Sequence, residues 1–500
     1  MSPWTVIVLL LLFGFFSITY ITSYIAVRRA KKELGLYDFY VAAGTLSAIS
    51  VLFAYMATYM EAWEFVGMPA VIVSEGFEWW LIEMIFYLSY VSLFYTVSLR
   101  IYRAAKIYKY ITPIDLIVHR VGGFERLLRI VIAIIVVYAT ILYIGMIYIP
   151  TAGVLTAATR GEISYHLFLF LYVALIISYV AAGGLRAIAY ADILAGVAFL
   201  TAFTAMIYVA YNFWGGFGSL AWEAYRSDIA PQIFERTLPF QYFWTMLIFY
   251  GISWLFIPHL VTKFYAAKSA KAVVIGGMGS ITGFFVGAFA SPLLLGLSLA
   301  AYYGSQLPQT TVVEEYVADF FMDIFGIGPL MALLILGLIA ITRSTVDSML
   351  LVVSSMVDID VLERGLGVKI SERYRRLIST LILVGVAGSS ILVALAPEAP
   401  MVIIGFELTW PAYSVIAWPT IIMLFWRRAN KYGGLASYLA GFVSLILFTY
   451  FLWPEPPHNP FGLWEGALPT IIAIITLVIV SLVTPPPPKE FIEEYYGLKS

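Results

Sequence analysis

The feature that most limits what this chain can become is its succession of unbroken apolar runs, such as TVIVLLLLFGFFSITYITSYIAV from Thr5. A helix of about 20 apolar residues crosses about 30 Å of hydrocarbon. Only helices and closed barrels can cross lipid with their backbone polar groups satisfied. Barrel strands alternate apolar and polar positions, and these runs do not, so helices are expected. Composition agrees: 62% of the residues are hydrophobic and 12% charged, where soluble domains carry about 25% charge. A formal net charge of −1 gives no electrostatic reason to expect a nucleic-acid partner. With no cysteine in the chain, disulfides, thiol catalysis and thiolate metal sites are all excluded. The first run lacks a basic start and a small-residue cleavage site, so it reads as a retained span and not a signal peptide.

Thirteen spans are expected, near 3–27, 43–75, 78–99, 130–157, 164–182, 187–213, 240–262, 272–303, 327–356, 377–396, 400–426, 433–454 and 467–484. Alternate loops collect most of the 29 basic residues, while the others hold only Arg160, Arg226 and Arg236. By the positive-inside rule the N-terminus is then outside and the C-terminus cytoplasmic, in the cell membrane. The expected organisation is an extra helix and inner loop (1–42), five helices (43–213) and an outer loop (214–239). Five more helices (240–427), two extra helices (428–484) and a cytoplasmic tail (485–500) complete it.

Two spans carry helix breakers in mid-run. The second reads AYMATYMEAWEFVGMPAVIVSEG, with Gly67 and Pro69, and the seventh reads LIFYGISWLFIPHLVTKFYAAKS, with Pro258. Each set of five helices therefore begins with a broken one. Transporters built from inverted repeats place solute and ion at such breaks, on freed carbonyls and helix ends. Against this, Pro and Gly are common in membrane helices generally. Ionisable residues inside spans are costly and point to function by default. Here they are Glu61 and Glu64 beside the first break, Arg343 and Asp347 in the ninth span, and Glu407 in the eleventh. Glu83 and Asp192 lie nearer helix ends, where contact with water accounts for them equally well. Arg343 and Asp347, four apart, could pair on one helix face. Glu61 and Glu64, three apart, would repel unless a cation, a proton or Arg343 compensates.

The ninth span, LIAITRSTVDSMLLVVSSMVDID, resembles the corresponding helix of the sodium/solute symporters, the family of the sodium/proline, sodium/galactose, pantothenate and choline carriers. The matching positions are Ser344, Thr345, Asp347, Ser348 and Asp358. MLFWRRANKYGGLASYLAG (423–441), GGLRAIAYAD (183–192) and PHLVTKFYAAKSAKA (258–272) resemble further family motifs, in family order. The resemblance implies an all-α polytopic membrane protein with the 5+5 inverted-repeat core of the leucine-transporter group. Aligned on Gly67-Met68-Pro69, it implies a sodium site from the backbone oxygens of Ala57, Met60 and Ile341 and the hydroxyls of Ser344 and Thr345. A small hard cation wants several oxygen ligands of this kind. Candidate solute contacts in the matching stretches are Trp63, Glu64, Glu78, Glu83, His259 and Glu407. Candidate coupling or gating residues are Glu61, Asp192, Arg343 and Asp347.

Two departures stand out. Arg343 occupies a position that is usually apolar or small, and its guanidinium either points away from the ion or replaces it. Ala191 precedes Asp192 where many members have a hydroxyl, which weakens any second sodium site there. The leading expectation is sodium-coupled symport of a small polar organic solute by alternating access, the solute bearing an amine or several hydroxyls. The same fold with proton coupling, or with Arg343 in place of the ion, is the alternative. A membrane enzyme using Glu61, Glu64 or Glu407 as acid and base lacks any nucleophile motif, metal-ligand cluster or phosphate loop. A transporter-like sensor would need a separate partner chain. The expected partners are the solute and the lipid bilayer, with no obligatory protein partner.

Overall fold

A computed structural model of the chain describes residues 1–28, 35–235, 238–283, 293–307, 313–395 and 403–497. Its helices run in order as α1 (Pro3–Arg28), α2 (Gly35–Val41), α3 (Ala48–Tyr59), α4 (Met68–Glu75), α5 (Glu78–Tyr108), α6 (Pro113–Val121) and α7 (Glu125–Ala158). Next come α8 (Tyr165–Trp214), α9 (Phe217–Arg226), α10 (Ala230–Phe234), α11 (Phe240–Ser253), α12 (Pro258–Ala266), α13 (Ala270–Gly283) and α14 (Leu297–Tyr303). The last are α15 (Val313–Phe325), α16 (Pro329–Ser355), α17 (Glu372–Ala394), α18 (Trp410–Phe425), α19 (Lys431–Leu447), α20 (Ala467–Val483) and α21 (Lys489–Tyr496). Eight helical segments among the described residues are long and apolar enough to cross a membrane, and three shorter helices are apolar as well. Breaks divide single crossings into shorter pieces, and residues 284–292 of the expected eighth span lie outside the described residues. The fold is all-α and polytopic, as the unbroken runs predict.

The second span is broken, but not where Gly67 and Pro69 suggested. The helix α3 stops at Tyr59, Met60 is extended (φ −100°, ψ 148°), and helical backbone resumes from Ala62 through a wide turn at Trp63–Gly67 into α4. Pro69 directly follows this wide turn, and the helical backbone runs on through it into α4. Gly67 is required by packing: a Cβ there would lie 2.4 Å from the Trp63 ring. The seventh span breaks where expected. Ile257, directly before Pro258, is extended (φ −73°, ψ 127°) between the last turn of α11 and the start of α12.

The two broken crossings meet at one end of the bundle. Leu46 N–H donates to the Ala266 carbonyl at 2.9 Å, and Lys268 N–H donates to the Leu46 carbonyl at 3.0 Å. Lys106 Nζ reaches the carbonyls of Gly44 and Ala267 at 3.0 and 3.4 Å, so the junction is tied by a third element. Asn430, in the FWRRAN motif, caps α19 by accepting from Tyr432 and Gly433 N–H, and its amide donates to the carbonyls of Ser481 and Pro485. That motif therefore works as a turn between α18 and α19.

Candidate functional site

The backbone break follows from how one amide is used. In a continuous helix the Glu61 N–H would bond the Ala57 carbonyl. Here it donates to Glu64 Oε2 at 2.7 Å, so Ala57 loses its helical partner. Glu64 thus acts as the reciprocal half of a helix cap for the segment that restarts. The neighbouring Met60 carbonyl is freed as well, and it accepts from the Thr345 hydroxyl of α16 at 3.1 Å. The same hydroxyl lies 3.4 Å from the Ile341 carbonyl. Met60, Ile341 and Thr345 therefore bring three oxygens together across two helices, and Ala57 stands one turn before on α3. All four are fully buried. Ser344 faces another way: its hydroxyl donates to Asp192 Oδ1 at 2.7 Å and lies 3.4 Å from Thr58 Oγ1.

Arg343 does not enter this oxygen set. Its guanidinium pairs with Asp347 at 2.7 Å and Asp192 at 3.1 Å. It lies 5.7 Å from the ring centre of Phe15 on α1 and 5.4 Å from that of Tyr179 on α8. A guanidinium stacks on aromatic faces and is weakly hydrated, which suits it to this buried position better than an ammonium. Of the two orientations the sequence left open, it adopts the one that points away.

Beside the break lies a small cavity, about 10 Å³ for the centre of a water molecule and so sized for a single water. Its wall is Glu61, Trp63, Glu64 and Glu83 on one side and Phe86, Tyr250, Trp254, Phe406 and Trp410 on the other. Trp63 Nε1 donates to Glu83 Oε1 at 3.0 Å, and the Trp63 ring leans on Phe406 with centroids 5.3 Å apart. Glu61 is 2% exposed, and its Oε2 has no hydrogen-bond partner. Among the described residues no Lys or Arg lines this cavity.

Of the candidate solute contacts, Trp63, Glu64 and Glu83 are brought together here, joined by Glu61. The other three are placed elsewhere. Glu78 accepts from the Leu238 N–H at the start of α5. His259 packs against Tyr143, with ring centroids 6.0 Å apart. Glu407 turns to the loop before α20, 3.7 Å from His458. Phe406, the residue directly before it, is the one that reaches the cavity.

Sequence reasoning missed Lys263, which it counted as a loop charge. The structure buries it completely in α12, with Nζ 2.8 Å from Ser348 Oγ and 3.5 Å from Asp192 Oδ2. The signal was present: LVTKFYAA is apolar on both sides of the lysine, unlike the KSAK that follows.

Comparison with known proteins agrees with this architecture. The model of the family described as "Sodium:solute symporter family" matches residues 39–441. The high-affinity proline transporter PutP of Bacillus subtilis is 25% identical over 93% of this chain and 96% of its own length. The sodium/pantothenate symporter of Haemophilus influenzae is 23% identical over 85% of this chain and 86% of its own. A solved Na+-coupled sialic acid symporter, in a substrate-bound outward-open state, superposes with a TM-score of 0.76 at 15% identity, over 96% of this chain and 98% of that one. MhsT in complex with L-phenylalanine gives 0.51 at 15% identity, over 88% and 98%. These relatives are transporters, and the chain belongs to the sodium:solute symporter family.

Proposed function

We propose that this protein imports a small amine-bearing organic solute together with sodium, by alternating access between two five-helix repeats (43–213 and 240–427). The N-terminus is outside and the C-terminus cytoplasmic. The sodium ligands in this reading are the carbonyls of Ala57, Met60 and Ile341 with the hydroxyl of Thr345; the Ser344 hydroxyl, expected to join them, is turned to Asp192 instead. The observation that carries it is the position of Thr345 Oγ1, 3.1 Å from the Met60 carbonyl and 3.4 Å from the Ile341 carbonyl. Oxygens at that spacing on two helices suit a hard cation, whose binding would hold α3 against α16. A cation that favours one state in this way raises the population competent for solute, and solute does the same for the cation.

The amine reading rests on the cavity. Glu61, Glu64 and Glu83 are buried among aromatic rings, and buried carboxylates favour a cationic partner. Aromatic faces add attraction for an ammonium. The relatives are named for proline and pantothenate, both of which carry a carboxylate. The cavity here offers a carboxylate no basic side chain among its described lining residues. The test is uptake into proteoliposomes of a panel of amines, amino acids and polyols, with voltage clamped. Amine uptake that needs sodium supports the reading. Uptake that is equal in sodium and choline buffers refutes the coupling, and uptake confined to carboxylates refutes the solute class.

A further inference from the structure

Beside the Met60–Thr345 oxygens lies a second buried cluster drawn from four helices. Thr58 comes from α3, Asp192 from α8, Lys263 from α12, and Arg343, Ser344, Asp347 and Ser348 from α16. All are at most 1% exposed. Two carboxylates face two cations, so the cluster is formally neutral, as a group sealed from water must nearly be. The cations divide the work. Arg343 lies on the side of α1 and bridges Asp347 and Asp192 Oδ1. Lys263 lies on the other side, 3.5 Å from Asp192 Oδ2 and 2.8 Å from Ser348 Oγ. The Thr58 hydroxyl is 3.4 Å from the hydroxyls of both Ser344 and Ser348.

Without the ammonium, what remains is a carboxylate oxygen and a ring of hydroxyls. That is the donor set a hard monovalent cation takes. An ammonium is a compact point charge with three donors, and it can stand in for such an ion while remaining covalently attached.

We propose that Lys263 is a tethered cation filling a second oxygen cradle, so that the carrier binds one sodium ion per chain and not two. The inference rests on the sodium reading above. Because Lys263 belongs to the second broken crossing, its charge is held or released with the movement of α12. The cluster is both the place-holder for an ion and the joint of α12 with α8 and α16.

Equilibrium binding of radioactive sodium to the full chain in nanodiscs tests this with sodium alone as the probe. The unaltered protein should bind one sodium per chain, with a hyperbolic isotherm. Lys263→Met and Lys263→Gln should bind two, with at least one of the variants monodisperse and melting cooperatively. Two sodium ions on the unaltered protein overturn the proposal, and so does a folded Lys263 variant that still binds one. If neither variant folds, the count on the unaltered protein decides alone. No sodium bound to the unaltered protein is a different failure, that of the sodium reading itself.

Discussion

Thr345 on α16 donates its hydroxyl to the Met60 carbonyl at 3.1 Å, and this bond joins an unbroken helix to the one point in the α3–α4 crossing where the backbone has let its oxygens go. Replacing Thr345 by Val keeps the shape and removes the oxygen. Sodium should then activate uptake at concentrations about tenfold higher or more, which is ~1.4 kcal/mol of lost binding. Thr345→Ser should remain close to the parent. The sodium dependence of initial uptake rates distinguishes the two, and equal sodium dependence in the Val variant would remove Thr345 from the ion site.

Glu61 and Glu64 line the same cavity but have separate tasks. Glu64 takes the Glu61 N–H as a helix cap. Its replacement by Ala should cost about 0.5–2 kcal/mol of stability, and Gln, whose amide oxygen can still accept, should recover most of it. Melting temperature without solute reads this directly. Glu61→Gln should leave melting near the parent and weaken amine binding about tenfold or more, since a charge-assisted bond contributes about 1.5–3 kcal/mol.

Arg343 is held by Asp347 and Asp192, with its back to the Met60–Thr345 oxygens. Replacing it with Met leaves two carboxylates facing one lysine in a sealed site, at a cost of about 3–5 kcal/mol. The expected outcome is a lower melting temperature with the sodium requirement retained. A variant that melts normally and acquires a sodium requirement the parent lacks would mean that the guanidinium had been serving as the ion.

Glu465, in the loop before α20, gives a pH signature. Burial, reinforced by neighbouring Glu407, pushes its carboxyl up to about 8 from an ordinary value of 4.5. The folded chain therefore holds a proton that the unfolded chain releases once pH exceeds its ordinary value. The stability this contributes is full below that value and is lost as pH rises toward 8. Melting temperature should fall across that interval, and Glu465→Gln should flatten the slope. A slope unchanged in the Gln variant would assign the effect to another group.

Membrane embedding, helical class and family were legible in the sequence because they depend on local properties: run length, composition and contiguous motifs such as ITRSTVDS. The break before Pro258 was legible for the same reason, since a proline acts on the residue preceding it. The first break was displaced because its cause is not local to Gly67 or Pro69. It lies in the Glu64 side chain taking the Glu61 amide, and a helix would have satisfied that amide equally well.

Which charges would meet was decided only by tertiary structure. A span boundary drawn from hydropathy left Lys263 in a loop, whereas packing of α12 against α3, α5 and α16 seals it beside Asp192 and Ser348. Likewise, the sequence pointed to Glu407, but that backbone sends its carboxylate to His458 and brings the ring of Phe406, which the sequence had not singled out, to the cavity. Sequence sets which groups are too costly to leave unpaired in lipid. Only the three-dimensional arrangement chooses their partners, because those partners come from helices distant in the chain and their directions are set by packing.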